Sequence, residues 1–158
     1  MRRNDREVAS HEWMAEVLDR GEWMELAMAG KDGWPYIVPL NYGFCDDIII
    51  IHCAGEGKKI DLMKENNKVA FNVAVDAEVV RNEEDPTKFT MKYKSVSGRG
   101  IAEFIEDAKE KREALEIMMG HYRGPKGPIT EEKLGVTAVI KIRITEMTGK
   151  VNRYPKPE

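Results

Sequence analysis

The sequence contains few cysteines. Two cysteines in 158 residues cannot build the disulfide framework of a small secreted domain. Cys45 lies beside an Asp46-Asp47 turn, and Cys53 lies roughly 16 Å along the returning strand, too far for a bridge within one hairpin. We therefore expect two free thiols in a reducing compartment.

Long apolar runs and an excess of positive charge are also missing. The run Ile48–Ile51 is far too short to span a bilayer, and no apolar signal-peptide core follows the basic start of the chain. A net charge of -3 gives no general attraction to nucleic acids or anionic membranes. These features favour a cytoplasmic protein without nucleic-acid or membrane partners.

Two common kinds of cofactor site are absent from the sequence as well. His52 and Cys53 are neighbours on a predicted strand, so their side chains point to opposite faces and cannot share a metal ion. No Gly-x-Gly-x-x-Gly fingerprint is present, so a nicotinamide would bind only transiently. We expect no metal site.

What the sequence does contain is a series of strands with short connections. Ser10 caps a predicted helix that ends at Arg20, another predicted helix covers 58–66, and Asp107 caps one that reaches His121. Predicted strands cover 22–29, 34–44, 48–53, 68–77, 89–105 and 136–145, with a bulge at the glycines of 97–100 and a polar loop from 78 to 86. This pattern predicts one domain over residues 1–158, mainly β with peripheral helices, closed as a six-stranded antiparallel barrel.

The strand of four isoleucines is apolar on both of its faces. Ile48, Ile50 and His52 share one face, while Ile49 and Cys53 lie on the other. A strand of this kind is covered on both sides, here by the barrel interior and by a helix or a partner subunit. We expect the alternation to direct His52 into a pocket on the barrel side.

The segment after this strand has the composition of an anion site. Gly55 and Gly57 allow backbone N–H groups to turn toward a phosphate, and Lys58 and Lys59 stand where a helix begins. Cations are unfavourable at that end of a helix, and a bound anion would explain both lysines. Two other interpretations remain open, because adjacent lysines are often merely solvated and a lone histidine such as His52 is often structural.

Three longer segments carry a resemblance to a known superfamily. They are "DGWPYIVPLNYGF" (32–44), "IIIIHCAGEGKKIDLMKENNKVAFNV" (48–73) and "YKSVSGRGIAEF" (93–104). Together they resemble the flavin-binding split barrels related to pyridoxamine 5'-phosphate oxidase, in particular the branch of 5-nitroimidazole antibiotic resistance proteins. The most specific element is the His-x-Ala-x-x-Gly-x-Lys spacing of His52, Ala54, Gly57 and Lys59.

This resemblance implies a six-stranded split barrel, a homodimer and an FMN at each subunit interface. It places Lys58 and Lys59 at the phosphate, His52 beside the flavin ring as the catalytic residue, and Ser95 as a polar contact from the partner or the barrel wall. The full set of cofactor-binding residues that it implies is Pro39, Leu40, Asn41, Tyr42, His52, Cys53, Gly57, Lys58, Lys59 and Ser95.

The function implied by the resemblance is that of an FMN-dependent oxidoreductase. It would reduce a small nitroaromatic or related acceptor by two electrons, using a small-molecule reductant. Lys88 stands where the branch often carries a cysteine, which leaves the substrate open. The alternative is a flavin carrier or sensor without turnover, or a split barrel that binds haem.

Overall fold

The computed structural model describes residues 3–125 and 127–157. Two short 3-10 helices lie at Asn4–Arg6 and Pro86–Lys88. The α-helices are α1 (His11–Arg20), α2 (Lys58–Glu65), α3 (Ala108–His121) and α4 (Glu131–Val136). The strands are β1 (Glu7–Val8), β2 (Met24–Ala29), β3 (Pro35–Leu40), β4 (Gly43–Cys45), β5 (Ile48–Ala54), β6 (Lys68–Val80), β7 (Thr90–Ile105) and β8 (Thr137–Asn152).

The strands form one antiparallel sheet whose two edges are neighbours in the chain. The order is β3-β2-β6-β7-β8-β5-β4, with β1 beside β8. Its edge strands β3 and β4 are joined by only Asn41 and Tyr42, so the sheet has to curl until its edges meet. This geometry, a barrel split between β3 and β4, confirms the prediction of an antiparallel split barrel with peripheral helices.

The strand count differs from the six that the sequence predicts. The predicted strand 34–44 is divided, because the chain leaves one sheet edge at Asn41 and joins the other at Gly43. The last strand continues to Asn152, where it still pairs with Tyr93 of β7. The strand β6 passes a register shift after Val75 and runs on into the predicted polar loop. The short elements β1 and α4 were not predicted.

The predicted caps and the predicted bulge are confirmed. The Ser10 side chain accepts a hydrogen bond from the N–H of Trp13, and Asp107 accepts from the N–H groups that open α3. The register of β7 against β8 shifts between Arg99 and Gly100. Within the described ranges, no helix is long and apolar enough to cross a membrane.

Two apolar clusters lie on the two sides of β5. Ile49 and Ile51 belong to the barrel interior, together with residues of α1, α2 and most strands. Ile50 packs on the outer face against Ala114 of α3. The strand of isoleucines is therefore covered on both faces, as predicted. Met119 of α3 is 39% exposed, because α3 turns it toward an open cleft.

The closure of the barrel is anchored by Tyr42. Its side chain is completely buried, and its hydroxyl donates to the carbonyl oxygen of Leu18 over 2.5 Å. Its backbone N–H donates to the hydroxyl of Tyr122, which in turn donates to the carbonyl oxygen of Glu22. These bonds join the split of the barrel to α1 and to the end of α3.

Removing the Tyr42 hydroxyl should destabilise the protein without altering its packing. Tyr42→Phe leaves the Leu18 carbonyl oxygen buried without its donor, which costs about 1–3 kcal/mol in the free energy of unfolding. Urea denaturation measures this. Tyr93→Phe is the matched control, because the Tyr93 hydroxyl has no hydrogen bond to the described residues, and its effect should stay within about 0.5 kcal/mol. Equal effects of the two variants would contradict a structural role for the Tyr42 hydroxyl.

The same variant should change the response to alkaline pH. Burial raises the pKa of the Tyr42 phenol, so the folded protein keeps a proton that the unfolded chain loses above about pH 10. The stability of the parent protein therefore falls as pH rises through that range. In Tyr42→Phe this part of the pH dependence should be absent, as measured by urea denaturation at a series of pH values.

Candidate functional site

The end of β5 brings His52 to the outer side of the barrel. The sequence predicted a barrel-side pocket for His52, and this is wrong. The interior is filled from the other face of the strand, by Ile49 and Ile51, with Cys53 packed at its edge. His52 lies on the face of Ile50, which α3 covers, and it opens into a cleft beside that helix.

The chain then turns at Gly57 into the first turn of α2. Gly57 has a φ of 117°, a conformation that favours glycine, and an added Cβ would meet nothing within 4 Å. The helix has no side-chain cap. The N–H groups of Ile60 and Asp61 donate to the Gly57 carbonyl oxygen, whereas those of Lys58 and Lys59 have no acceptor among the described residues. Two backbone N–H groups without an acceptor and two lysine side chains therefore start from this turn, which we call the lysine corner (Gly57, Lys58 and Lys59).

The lysine corner is electrostatically coupled to the end of β5. Partial burial lowers the pKa of the His52 imidazole, and the positive charge of Lys59 lowers it further, so the ring is neutral at neutral pH. Burial raises the pKa of the Cys53 thiol, and Lys59 opposes that shift. The ammonium of Lys58 lies 4.7 Å from the centroid of the Tyr36 ring on β3. Sequence reasoning missed Tyr36, since only the fold brings β3 beside α2.

The segment 39–42 lies beside His52 as well. The strands β4 and β5 pair Gly43 with Ile50, and the same register carried two residues further sets Asn41 opposite His52. Asn41 and His52 line the same cleft. Pro39 is exposed and Leu40 packs against the barrel core.

The polar groups of Tyr42 are largely occupied. Its hydroxyl and N–H already have partners in Leu18 and Tyr122, and the whole residue is buried. A direct contact between Tyr42 and a cofactor stays a prediction.

Ser95 is the one predicted site residue that the structure sets far from the others in the chain. His52 pairs with Val139, and Val139 pairs with Ile105 at the end of β7. Ser95 lies ten residues back along that strand, a contour length of about 33 Å. It is buried, with Lys150 as its pairing partner. The contact between Ser95 and a cofactor, from a partner subunit or from the barrel wall, stays a prediction.

The cleft beside His52 has a volume of about 830 Å³. One wall is α3, and the other is formed by residues 122, 124–125 and 127–129. α3 packs closely against β4 at Gly43. A Cβ atom added at Gly43 would lie only 2.6 Å from the Cα atom of Met118, so this contact requires glycine. No signal in the sequence indicates this cleft, because His52 and Asn41 are distant from α3 in the chain and come beside it only through the fold. Cys45 and Cys53 are both free thiols, as predicted.

Comparison with known proteins places this geometry in a family. The family model described as pyridoxamine 5'-phosphate oxidase matches residues 10–151. A comparison with curated proteins finds no match.

Solved structures share the fold over nearly the whole chain. A protein from Bacteroides thetaiotaomicron ascribed to 5-nitroimidazole antibiotic resistance is 29% identical with a TM-score of 0.82, over 92% of this chain and 86% of its own. A FAD- and haem-binding protein from Mycobacterium smegmatis is 19% identical with a TM-score of 0.84, over 97% of this chain and 76% of its own. A flavocytochrome from Azotobacter vinelandii is 21% identical with a TM-score of 0.81, over 100% of this chain and 74% of its own.

The last two structures support the fold alone. The family model, in contrast, covers residues 10–151, and this range includes the lysine corner and the residues that line the cleft. The chain therefore belongs to the pyridoxamine 5'-phosphate oxidase family.

Proposed function

We propose that this protein binds FMN and uses it to reduce a small nitroaromatic or related acceptor by two electrons. The observation that carries the proposal is the lysine corner, where the N–H groups of Lys58 and Lys59 have no acceptor among the described residues and both residues carry an ammonium group. These groups fit a phosphate monoester, which is stabilised by N–H donors, by the helix dipole and by positive charge. The similarity to the Bacteroides protein supports the choice of acceptor.

We assign the remaining cofactor contacts to residues that lie near the lysine corner and to a residue of the partner subunit. Pro39, Leu40 and Asn41 offer backbone and amide groups to the polar edge of the flavin ring, and the buried Tyr42 holds this segment in place. His52 and Cys53, at the end of β5, would contact the cofactor next to the lysine corner. Ser95 would reach the cofactor of the partner subunit, which makes a homodimer part of the proposal.

Bound FMN supplies the two-electron redox chemistry, and the protein supplies binding, orientation and protons. Overall, a two-electron reductant such as a reduced nicotinamide is consumed, and a nitro group that takes up two electrons and two protons becomes a nitroso group and water. His52 can hold the acceptor through a hydrogen bond from its ring N–H, and it can donate one of these protons when its imidazole is protonated. Burial and Lys59 lower the pKa of the imidazole, so protonation requires a pH below the ordinary value of about 6.5.

Replacing both lysines should separate FMN from riboflavin. Lys58→Ala combined with Lys59→Ala should weaken FMN by about two orders of magnitude and riboflavin very little, because riboflavin has no phosphate. Fluorescence quenching titrations measure both affinities, and added salt should weaken FMN modestly. Lys31→Ala combined with Lys68→Ala is the control, because it removes the same two positive charges away from the lysine corner and should leave FMN affinity unchanged. An equal loss of both flavins would show that the phosphate lies elsewhere.

Replacing His52 should affect turnover more than cofactor binding. His52→Ala should leave FMN affinity within about tenfold, or 1.4 kcal/mol, and slow the reduction of a nitroaromatic acceptor by about a hundredfold. In the parent protein the rate should rise as pH falls below about 6.5, where the imidazole gains a proton, and His52→Ala should lack this rise. His11→Ala, at an exposed histidine paired with Asp47, is the control. If the acceptor reoxidises pre-reduced flavin at the same rate in His52→Ala as in the parent protein, His52 has a structural role and no role in turnover.

The homodimer should depend on the exposed apolar edge at β3. Trp34 is 77% exposed, Ile37 60% and Trp23 54%, and β3 pairs with one strand only. Burial of such a surface in a shared interface would hide it from water. Light scattering should give a dimer for the parent protein and a monomer for Ile37→Glu, while Val136→Glu, at another exposed apolar residue, should stay dimeric. A monomeric parent protein at micromolar concentration with FMN bound would contradict this part of the proposal.

The haem alternative has one supporting observation. His52 opens into the cleft, and imidazole is a common axial ligand of haem iron. An absorbance spectrum separates the two cofactors, since haem gives a Soret band and a flavin does not. Bleaching of a flavin spectrum by a reduced nicotinamide would then separate an enzyme from a carrier.

A further inference from the structure

Tyr36 is held on the inner face of β3 beside the start of α2. It pairs with Met28 of β2, and its half-buried side chain packs against the barrel core together with Val38 and Leu40. Its hydroxyl has no hydrogen bond to the described residues. The position of the ring therefore depends on packing and on the strand, and the hydroxyl contributes little to it.

The helix α2 is fixed to the same pair of strands at its other end. The side-chain amide of Asn66 donates to the carbonyl oxygen of Ala29 over 2.9 Å. The side chain of Leu62 lies against Gly30, in the turn between β2 and β3. These contacts set the position of α2 relative to β3, so the start of the helix and the Tyr36 ring are brought together by the fold.

The ammonium group of Lys58 has an aromatic partner and no acidic one. It lies 4.7 Å from the centroid of the Tyr36 ring, inside the distance of about 6 Å over which cation–π attraction acts. Within the described part of the chain, no ion pair includes Lys58 or Lys59. A ring face attracts an ammonium group without cancelling its charge, whereas a carboxylate would cancel the charge and compete with a bound anion.

The two lysines of the corner differ in their surroundings. Lys58 lies over a ring of β3, while no aromatic ring of the described residues lies against the ammonium of Lys59. The charge of Lys59 acts instead on His52 and Cys53 at the end of β5. Lys58 is therefore the lysine whose side chain is held in place before an anion binds.

From this arrangement we propose that Tyr36 is a positioning residue, whose ring holds the Lys58 side chain so that its charge is available to a phosphate group at the start of α2. The phosphate in this statement rests on the proposed function. A lysine loses rotamer freedom when it binds an anion, and a side chain that is already held loses less. The ammonium group has three N–H donors, so the contact with the ring leaves donors for the phosphate.

Replacing the Tyr36 ring should weaken FMN binding and leave riboflavin binding unchanged. Fluorescence titration of the full-length protein should show about threefold weaker FMN binding in Tyr36→Leu, as expected for the loss of one cation–π contact at an exposed lysine. Tyr36→Phe keeps the ring and should bind FMN as the parent protein does. Phe104→Leu is the matched control, because it removes a ring 5.7 Å from Lys64 on the same helix. Equal FMN affinity of Tyr36→Leu and the parent protein would overturn the proposal.

A double-mutant cycle shows whether Tyr36 acts through Lys58. In the Lys58→Ala background the ammonium group is gone, so adding Tyr36→Leu should cost no further FMN affinity. In the Lys59→Ala background the same change should still cost about threefold. Thermal unfolding verifies that each variant is folded. A loss that persists in the Lys58→Ala background would mean that Tyr36 shapes the site by packing, and the positioning role would be overturned.

The contact between the lysine and the ring can also be measured without any flavin. The ring current should shift the terminal methylene protons of Lys58 upfield in NMR spectra of the parent protein and of Tyr36→Phe. The shift should be absent in Tyr36→Leu. An unshifted Lys58 in the parent protein would show that the ring does not hold it.

The outcomes separate this proposal from the proposed function. If FMN is preferred over riboflavin and Tyr36→Leu has no effect on it, the positioning role fails and the proposed function stands. If neither flavin binds, the proposed function fails, and inorganic phosphate becomes the probe, followed through the backbone N–H resonances of Lys58 and Lys59. Weaker phosphate binding in Tyr36→Leu than in the parent protein would then support the positioning role. Equal binding, or none in the parent protein, would overturn it.

Discussion

The two-residue link between β3 and β4 is the constraint on which the rest of the structure depends. Because Asn41 and Tyr42 connect the two edges of the sheet, the sheet closes on itself. Burial of the Tyr42 ring and the bond from its hydroxyl to Leu18 hold that closure in one geometry. The bond from its N–H to Tyr122 also fixes the end of α3 beside the split.

The candidate site lies directly after this link. The register of β4 against β5, carried two residues further, sets Asn41 opposite His52, and the position of α3 leaves a cleft in front of both residues. The buried strand β5 leads into the lysine corner immediately afterwards. Lys59 of that corner lowers the pKa of the His52 imidazole, so the corner and the end of β5 act on each other electrostatically.

Local signals in the sequence were sufficient for most elements. The caps Ser10 and Asp107, the glycine bulge near Gly100 and the double-faced strand β5 depend on neighbours in the chain or on simple alternation, and they were predicted correctly. The lysine corner was also predicted as the start of a helix, since its glycines and lysines are adjacent in the sequence.

What the sequence could not provide depends on contacts between distant segments. Alternation showed that His52 shares a face with Ile50, but it could not say which face was the interior, and the prediction was wrong. The division of the strand at Asn41 could not be read from an unbroken β pattern. The cleft joins α3 to β5 across about sixty residues of chain, and Tyr36 meets Lys58 only because the barrel closes.

The assignment of the lysine corner to an FMN site can be tested on the protein purified without added cofactor. The protein is denatured, and the released cofactor is identified and quantified by chromatography and absorbance. We expect FMN in an amount close to equimolar with the chain. Release of FAD or haem in that amount, or failure of the purified protein to take up FMN when it is supplied, would contradict the assignment.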